Sequence, residues 1–216
     1  MKFFTKSFRA LLCVVLIQQL GFAQTCPTSS ITASSNTTIC SGQCANLNAS
    51  VTALRTTSTY TVGATPYAPF SFTAGTSIIG AIDDTWSSAL NIGFNFCYFG
   101  NTFNQLKIGS NGEITFDLTV VSNTPGSEFY TINNALPNLI EHAPNTICGP
   151  YRDIDPSAYI PATVTYTTTG VAPCRRFIAS WNDVPLWACN TVTPRATFQI
   201  VLYEKSNIID MYIQNS

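Results

Sequence analysis

The sequence predicts an all-β chain: an antiparallel β-sandwich with one short helical turn, braced by disulfides. Three observations predict it. Apolar and polar side chains alternate with a period of two along several separate stretches, the signature of strands with one buried face. Gly, Pro and Asn punctuate the chain between those stretches, and only residues 132–141 (INNALPNLIE) have the pattern of a helical turn, short and split by Pro137. The chain carries 8 cysteines behind an N-terminus that reads as an export signal, and exported cysteines pair by default.

Residues 1–23 form that signal. Lys2, Lys6 and Arg9 make a basic start, residues 10–17 (ALLCVVLI) are an apolar run too short to span a bilayer, and Gly21 and Ala23 are the small residues before a cut at Gln24. Cleavage removes three of the 10 basic residues and none of the 11 acids, leaving 7 against 11, a net charge of −4. A chain so charged has no basic stripe with which to neutralise phosphates, so nucleic acid is excluded as a partner. Only 10% of residues are charged while 12% are aromatic, which suits a neutral polar surface over an aromatic core outside the cell. No later segment is apolar enough to cross a membrane.

Residues 24–58 are a Ser/Thr/Asn-rich leader, with short alternation at Ala45, Leu47, Ala49 and Val51 that predicts one or two edge strands. Cys40 and Cys44 are spaced to close a small loop. The domain proper spans 59–216. Residues 60–72 are extended, since Pro66 and Pro69 exclude helix and central strand. Residues 80–88 (GAIDDTWSS) form a polar loop leading into the central stretch, residues 90–121. There Leu90, Ile92, Phe94, Phe96 and Tyr98 alternate with polar or small residues, as do Ile114, Phe116, Leu118 and Val120. Turn signals at Gly100-Asn101 and Asn111-Gly112 divide it into a three-stranded meander, the Asn-Gly pair being suited to a two-residue hairpin. Beyond the helical turn, 146–155 cross over, 163–169 and 176–181 are strands, and 196–205 with 208–213 form a hairpin about Ser206-Asn207. In that hairpin Phe198, Ile200 and Leu202 oppose Ile209, Met211 and Ile213. Cys174 and Cys189 flank a strand and its return. The odd mature cysteine points to a partner beyond Ser216, so the domain is expected to be truncated and continued by further domains.

Chemistry is sparsely marked. Asp153 and Asp155 lie on one face of an extended segment, roughly 6–7 Å apart by strand rise. With Asp83 and Asp84 they offer the hard oxygens that calcium takes. Turn capping, or pairing with Arg152 or Arg175, uses the same carboxylates without a metal. Apart from calcium, no cofactor is indicated. His142 is the sole histidine, and with no nucleophile elbow near it the expected role is a surface or capping one. Trp86, Trp187 and Tyr151, beside Tyr130, could stack against sugars, whereas Trp181 ends an apolar strand and belongs to the core. Neither a placed base nor a metal motif is present, so the chain is not read as an enzyme.

Residues 92–116 (IGFNFCYFGNTFNQLKIGSNGEITF), with YTVGATPYAPFSF and IDDTWS before them and GPYRDIDPS, APCRRFIASWNDVP and TFQIVLYEKSNIIDMYIQN after, resemble the nidogen-like extracellular module found near the N-terminus of large Bacteroidetes surface proteins. The resemblance covers about 60–213 and also takes in the CSGQC leader. It implies a non-enzymatic secreted or cell-surface adhesion and scaffold role, in a protein type that often carries repeats and a sorting domain of the gliding-motility, type IX secretion kind. A carbohydrate-binding module of an exported polysaccharide-processing protein is the other function expected. An extracellular protein or a glycan is the implied partner. Cys148 stands where the module has an apolar residue, which points to a Cys97–Cys148 bridge. The family pattern supplies no catalytic residues to carry over.

Overall fold

A computed structural model describes residues 31–33, 49–51, 57–79, 82–131, 134–138, 141–188 and 194–216, the first two only as backbone. The signal, most of the leader with Cys40 and Cys44, and Cys189 lie outside the described residues.

Eleven strands are formed among the described residues, and no helix. β1 (Ile31–Ala33) and β2 (Ala49–Val51) pair with each other in the leader. The remaining strands build two antiparallel sheets. β4 (Leu90–Tyr98), β5 (Asn101–Ile108), β6 (Glu113–Thr115) and β7 (Thr146–Cys148) follow one another in a four-stranded sheet. β3 (Thr76–Ile79), β8 (Thr163–Thr169), β9 (Arg176–Pro185), β10 (Arg195–Tyr203) and β11 (Ile209–Asn215) form a five-stranded sheet in the order β11-β10-β9-β8-β3.

The alternation read from the sequence decides which face each side chain takes. Ile92, Phe94 and Phe96 of β4, Leu106 and Ile108 of β5, and Ile114 of β6 join Phe177, Ala179 and Trp181 of β9 and Phe198, Ile200 and Leu202 of β10 in one buried cluster that cements the sheets into a sandwich. Phe198 stands opposite Ile213, Ile200 opposite Met211 and Leu202 opposite Ile209, as the hairpin pattern requires. β10 is buried on both faces. Its other face, with Val201 and Tyr203, packs with Ile178 and Tyr212 beneath Phe70 of the Pro-rich stretch. There the Gln199 carboxamide accepts from Phe70 N and donates to Phe70 O, both at 3.0 Å.

At the middle of the sandwich the Trp181 and Phe198 rings stack at 4.8 Å, and Trp181 Nε1 donates to Gly109 O of the facing sheet at 3.0 Å. The Phe198 ring is so close to the opposite backbone that a Cβ on Gly149 would lie 2.7 Å from it and 2.7 Å from the Gly112 carbonyl oxygen. Only glycine permits that approach.

Four expectations are corrected. The β4–β5 turn is Phe99-Gly100, both at positive φ, one residue earlier than the Gly100-Asn101 signal. The β5–β6 connection spans residues 109–112 and closes with Gly109 N donating to Glu113 O, so Asn111-Gly112 is not a two-residue hairpin. β6 stops at Thr115 because Asp117 Oδ1 accepts from Thr119 N and Oγ1, a local turn that competes with strand pairing. The helical turn is absent from the described part of 132–141. Pro137 supplies no N–H, and Glu141 is bound by the Asn134 and Asn138 side chains; among the described residues the one helical hydrogen bond here is His142 N to Asn138 O.

The Cys97–Cys148 bridge is also overturned, since both cysteines are free. They lie on β4 and β7, the two outer strands of the four-stranded sheet. Three ladder spacings, roughly 14 Å, separate those strands, about twice what a disulfide spans. Cys174 is disulfide-bonded. The pairings expected for Cys40, Cys44 and Cys189 fall on residues outside the description.

Candidate functional site

The connection between β5 and β6 organises one loop region. Asn111 is 5% exposed, and its side chain serves three segments. Its Nδ2 donates to Asp84 Oδ1 at 2.9 Å and to Phe129 O at 3.4 Å, while its Oδ1 accepts from Ile154 N at 2.9 Å. Glu128, 1% exposed, adds a second tie: its Oε2 accepts from Ser110 Oγ at 2.7 Å and from Asn111 N at 2.9 Å. Segments 82–88, 122–131 and 150–158 are thereby fastened to the sheet end. Trp187 joins them through its N, which donates to Asp153 O at 3.0 Å.

This arrangement gathers the four aspartates. Burial, then the Asp84, Asp155 and Asp153 charges, push the Asp83 carboxyl up to about 7. Burial and the charges of Asp84 and Asp155 push Asp153 up to about 6. Asp84 is raised by burial and Asp155, with the Asn111 hydrogen bond opposing. Asp155 also caps a turn, accepting from Ser157 N at 2.7 Å and Ala158 N at 3.1 Å. The charge for calcium is assembled, but three of these carboxylates do not bring ligand atoms within 4.8 Å of one another. The alternative pairing with Arg175 is not made: Arg175 binds Glu204 through Nε and Nη2 at 2.8 and 2.6 Å.

Asp84 and Asp153 line an open groove of about 830 Å³ with Tyr130, Arg152, Leu186 and Trp187. Trp187 is 60% and Tyr130 48% exposed. Trp86 is buried. It is 2% exposed and bridges to Gly109 and Ser122, because the polar loop that carries it is drawn into the sandwich edge. Tyr151 lies in the neighbouring wall, with its hydroxyl 3.1 Å from Asn134 O and 3.4 Å from His142 Nε2.

His142 corrects the surface reading. It is 8% exposed and sets Nδ1 2.7 Å from Glu113 Oε1. Cys148, the cross-strand neighbour of Glu113, donates its thiol to the same oxygen at 3.7 Å. Burial and the Glu113 charge push the Cys148 thiol up to about 12. Burial raises Glu113 too, against the lowering effect of His142 and Cys148. A protonated thiol facing a carboxylate instead of the imidazole is no activated nucleophile. Sequence reasoning missed this trio. Its one signal was Glu113, a carboxylate directly after Asn111-Gly112, which alternation assigns to the face away from the core. That face proves to be covered by later loops.

Among the described residues no helix is long and apolar enough to cross a membrane. Comparison with curated proteins and with solved structures gave no match. Residues 57–216 match the family described as NIDO related, a span that holds both sheets of the sandwich, the groove and the Glu113–His142–Cys148 trio. The chain belongs to this NIDO-related family of non-catalytic extracellular modules.

Proposed function

We propose that the chain is a non-enzymatic adhesion or scaffold module of a larger secreted or cell-surface protein, exported through its N-terminal signal and binding an extracellular partner through the groove at Trp187. The observation that carries this reading is the pairing of two exposed aromatic residues with Arg152, Asp84 and Asp153 around about 830 Å³ of open space, on loops fixed by the buried Asn111 and Glu128. Exposed aromatics held on a rigid frame are what a binding surface requires. A carbohydrate partner is the second reading, favoured by Trp187 and Tyr130, since flat rings suit the apolar faces of sugars. Export by a type IX route and a Bacteroidetes surface protein as the parent remain proposals that rest on the motif resemblance.

The test is binding of the secreted chain to a glycan array and to a panel of extracellular proteins. Trp187→Ala and Tyr130→Ala are expected to remove binding with the melting temperature unchanged. Turnover of polysaccharides, esters or peptides that is abolished by Asp153→Asn and Asp155→Asn would overturn the reading.

A further inference from the structure

We propose that Glu113, His142 and Cys148 form a binding site for a divalent metal ion of the zinc class, a function separate from the groove and independent of the reading given for it. One carboxylate oxygen, one imidazole nitrogen and one sulfur lie within 4.8 Å of one another, the only such convergence of these side chains among the described residues. Mixed S, N and O ligation suits zinc, whereas the thiol excludes calcium and magnesium.

The distances can be set against a tetrahedral ion. Zinc bonds of about 2.3 Å to sulfur and about 2.0–2.1 Å to nitrogen and oxygen imply edges of roughly 3.5 Å for S–O and about 3.3 Å for N–O. The Cys148 Sγ to Glu113 Oε1 separation is 3.7 Å, close to the first edge. His142 Nδ1 to Oε1 is 2.7 Å, so the ion would open this contact by roughly 0.6 Å, within the reach of side-chain rotation.

Three further observations point to an ion. Glu113 is 4% exposed, yet among the described residues its Oε2 has no hydrogen-bond partner. Unsatisfied groups this deeply buried are costly unless something coordinates them. The adjoining cavity, bounded by Asn111, Phe129 and Tyr151 as well as the trio, holds about 10 Å³, room for an ion or its water and too small for an organic substrate. The other ring nitrogen, Nε2, is held by the Tyr151 hydroxyl at 3.4 Å, the outer-partner arrangement usual for a metal-bound histidine. On binding, the Cys148 S–H proton leaves to solvent as the sulfur bonds the metal, and nothing is oxidised or reduced.

The full secreted chain, stripped of metal, is titrated with cobalt(II) and then zinc(II). One equivalent of cobalt should give a sulfur-to-cobalt charge-transfer band in the near ultraviolet with the visible bands of a four-coordinate ion, and zinc should bleach both. Cys148→Ser should remove the charge-transfer band. His142→Gln should keep the thiol and weaken cobalt binding by at least the ~10–100-fold that loss of an outer partner costs. Cys97→Ser, which alters the other free cysteine among the described residues, should leave both readings unchanged. X-ray absorption of the zinc-loaded chain should find one sulfur at about 2.3 Å among nitrogen and oxygen neighbours at about 2.0 Å. That measurement on the unmutated chain decides the matter if Cys148→Ser does not fold. No cobalt uptake, a charge-transfer band that survives Cys148→Ser, or two or more sulfurs about zinc would overturn the proposal.

Discussion

Asp83→Asn should stabilise this protein above neutral pH and leave it unchanged in acid. In the folded chain the Asp83 carboxyl is raised from 3.8 to about 7, first by burial and then by the charges of Asp84, Asp155 and Asp153. The folded state therefore holds the proton more tightly than the unfolded chain does. Its contribution to stability is complete below about pH 4 and is lost as pH climbs through about 7. Each tenfold change in proton affinity is worth about 1.4 kcal/mol, which sets a ceiling of about 4 kcal/mol. Asp83 is only half-buried, and solvent screens its repulsion with the neighbouring carboxylates, so about 1–2 kcal/mol is the expected effect. For a domain of this size that is a rise of about 3–6 °C in melting temperature at pH 8. The assay is thermal unfolding of both proteins between pH 4.5 and 8.5 in EDTA. Glu113 and Glu128 are raised in the same direction, so they contribute a falling stability to both proteins, and the difference between the two curves isolates Asp83. Should Asp83→Asn melt below the unmutated protein at pH 8, with the same pH slope, the assignment of repulsion to this cluster is wrong.

Two further perturbations probe the frame that holds the loops. Trp181→Phe removes the hydrogen bond to Gly109 O and leaves space beside Phe198, so it should cost about 2–4 kcal/mol in denaturant unfolding with an unchanged m-value; a loss under about 1 kcal/mol would show that the two sheets are not coupled there. Glu128→Gln keeps an acceptor for Ser110 Oγ and Asn111 N and should stay within about 1 kcal/mol of the parent, whereas Glu128→Ala strands both donors and should lose about 2–4 kcal/mol, measured in the same way. Equal losses in the two variants would mean that the side chain acts by packing alone.

Period-two alternation made β4, β8 and the β10–β11 hairpin legible, because each places large apolar residues on a face that meets the other sheet. β3 escaped notice: it is a four-residue edge strand that begins with Thr76 and Ser77 and has no apolar alternation to announce it. The meander was read too long at its end because Asp117 and Thr119 bond locally, an effect that apolar spacing does not register. The four aspartates were found as residues, and the fold does bring their charges together, through segments that Asn111 joins. Trp86 misled because a polar loop carries it, yet that loop bridges to Gly109 on one side and Ser122 on the other. The Glu113–His142–Cys148 group depends on a ladder register between residues 35 apart, which no local pattern encodes.

Asn-Gly pairs are the peptide linkages most prone to spontaneous deamidation, in which the glycine nitrogen attacks the asparagine side-chain carbonyl to give a succinimide. Asn111-Gly112 is such a pair, but both ends of the Asn111 carboxamide are held, by Asp84 and Phe129 on one side and Ile154 on the other. That grip keeps the carbonyl carbon from swinging onto the Gly112 nitrogen. Were the amide lost, the new carboxylate would face Asp84 in place of the donor that now binds it. Chemical ageing at this linkage is therefore tied to opening of the loops, and a chain that stays folded keeps this loop arrangement on the timescale of its unfolding rather than of its hydrolysis.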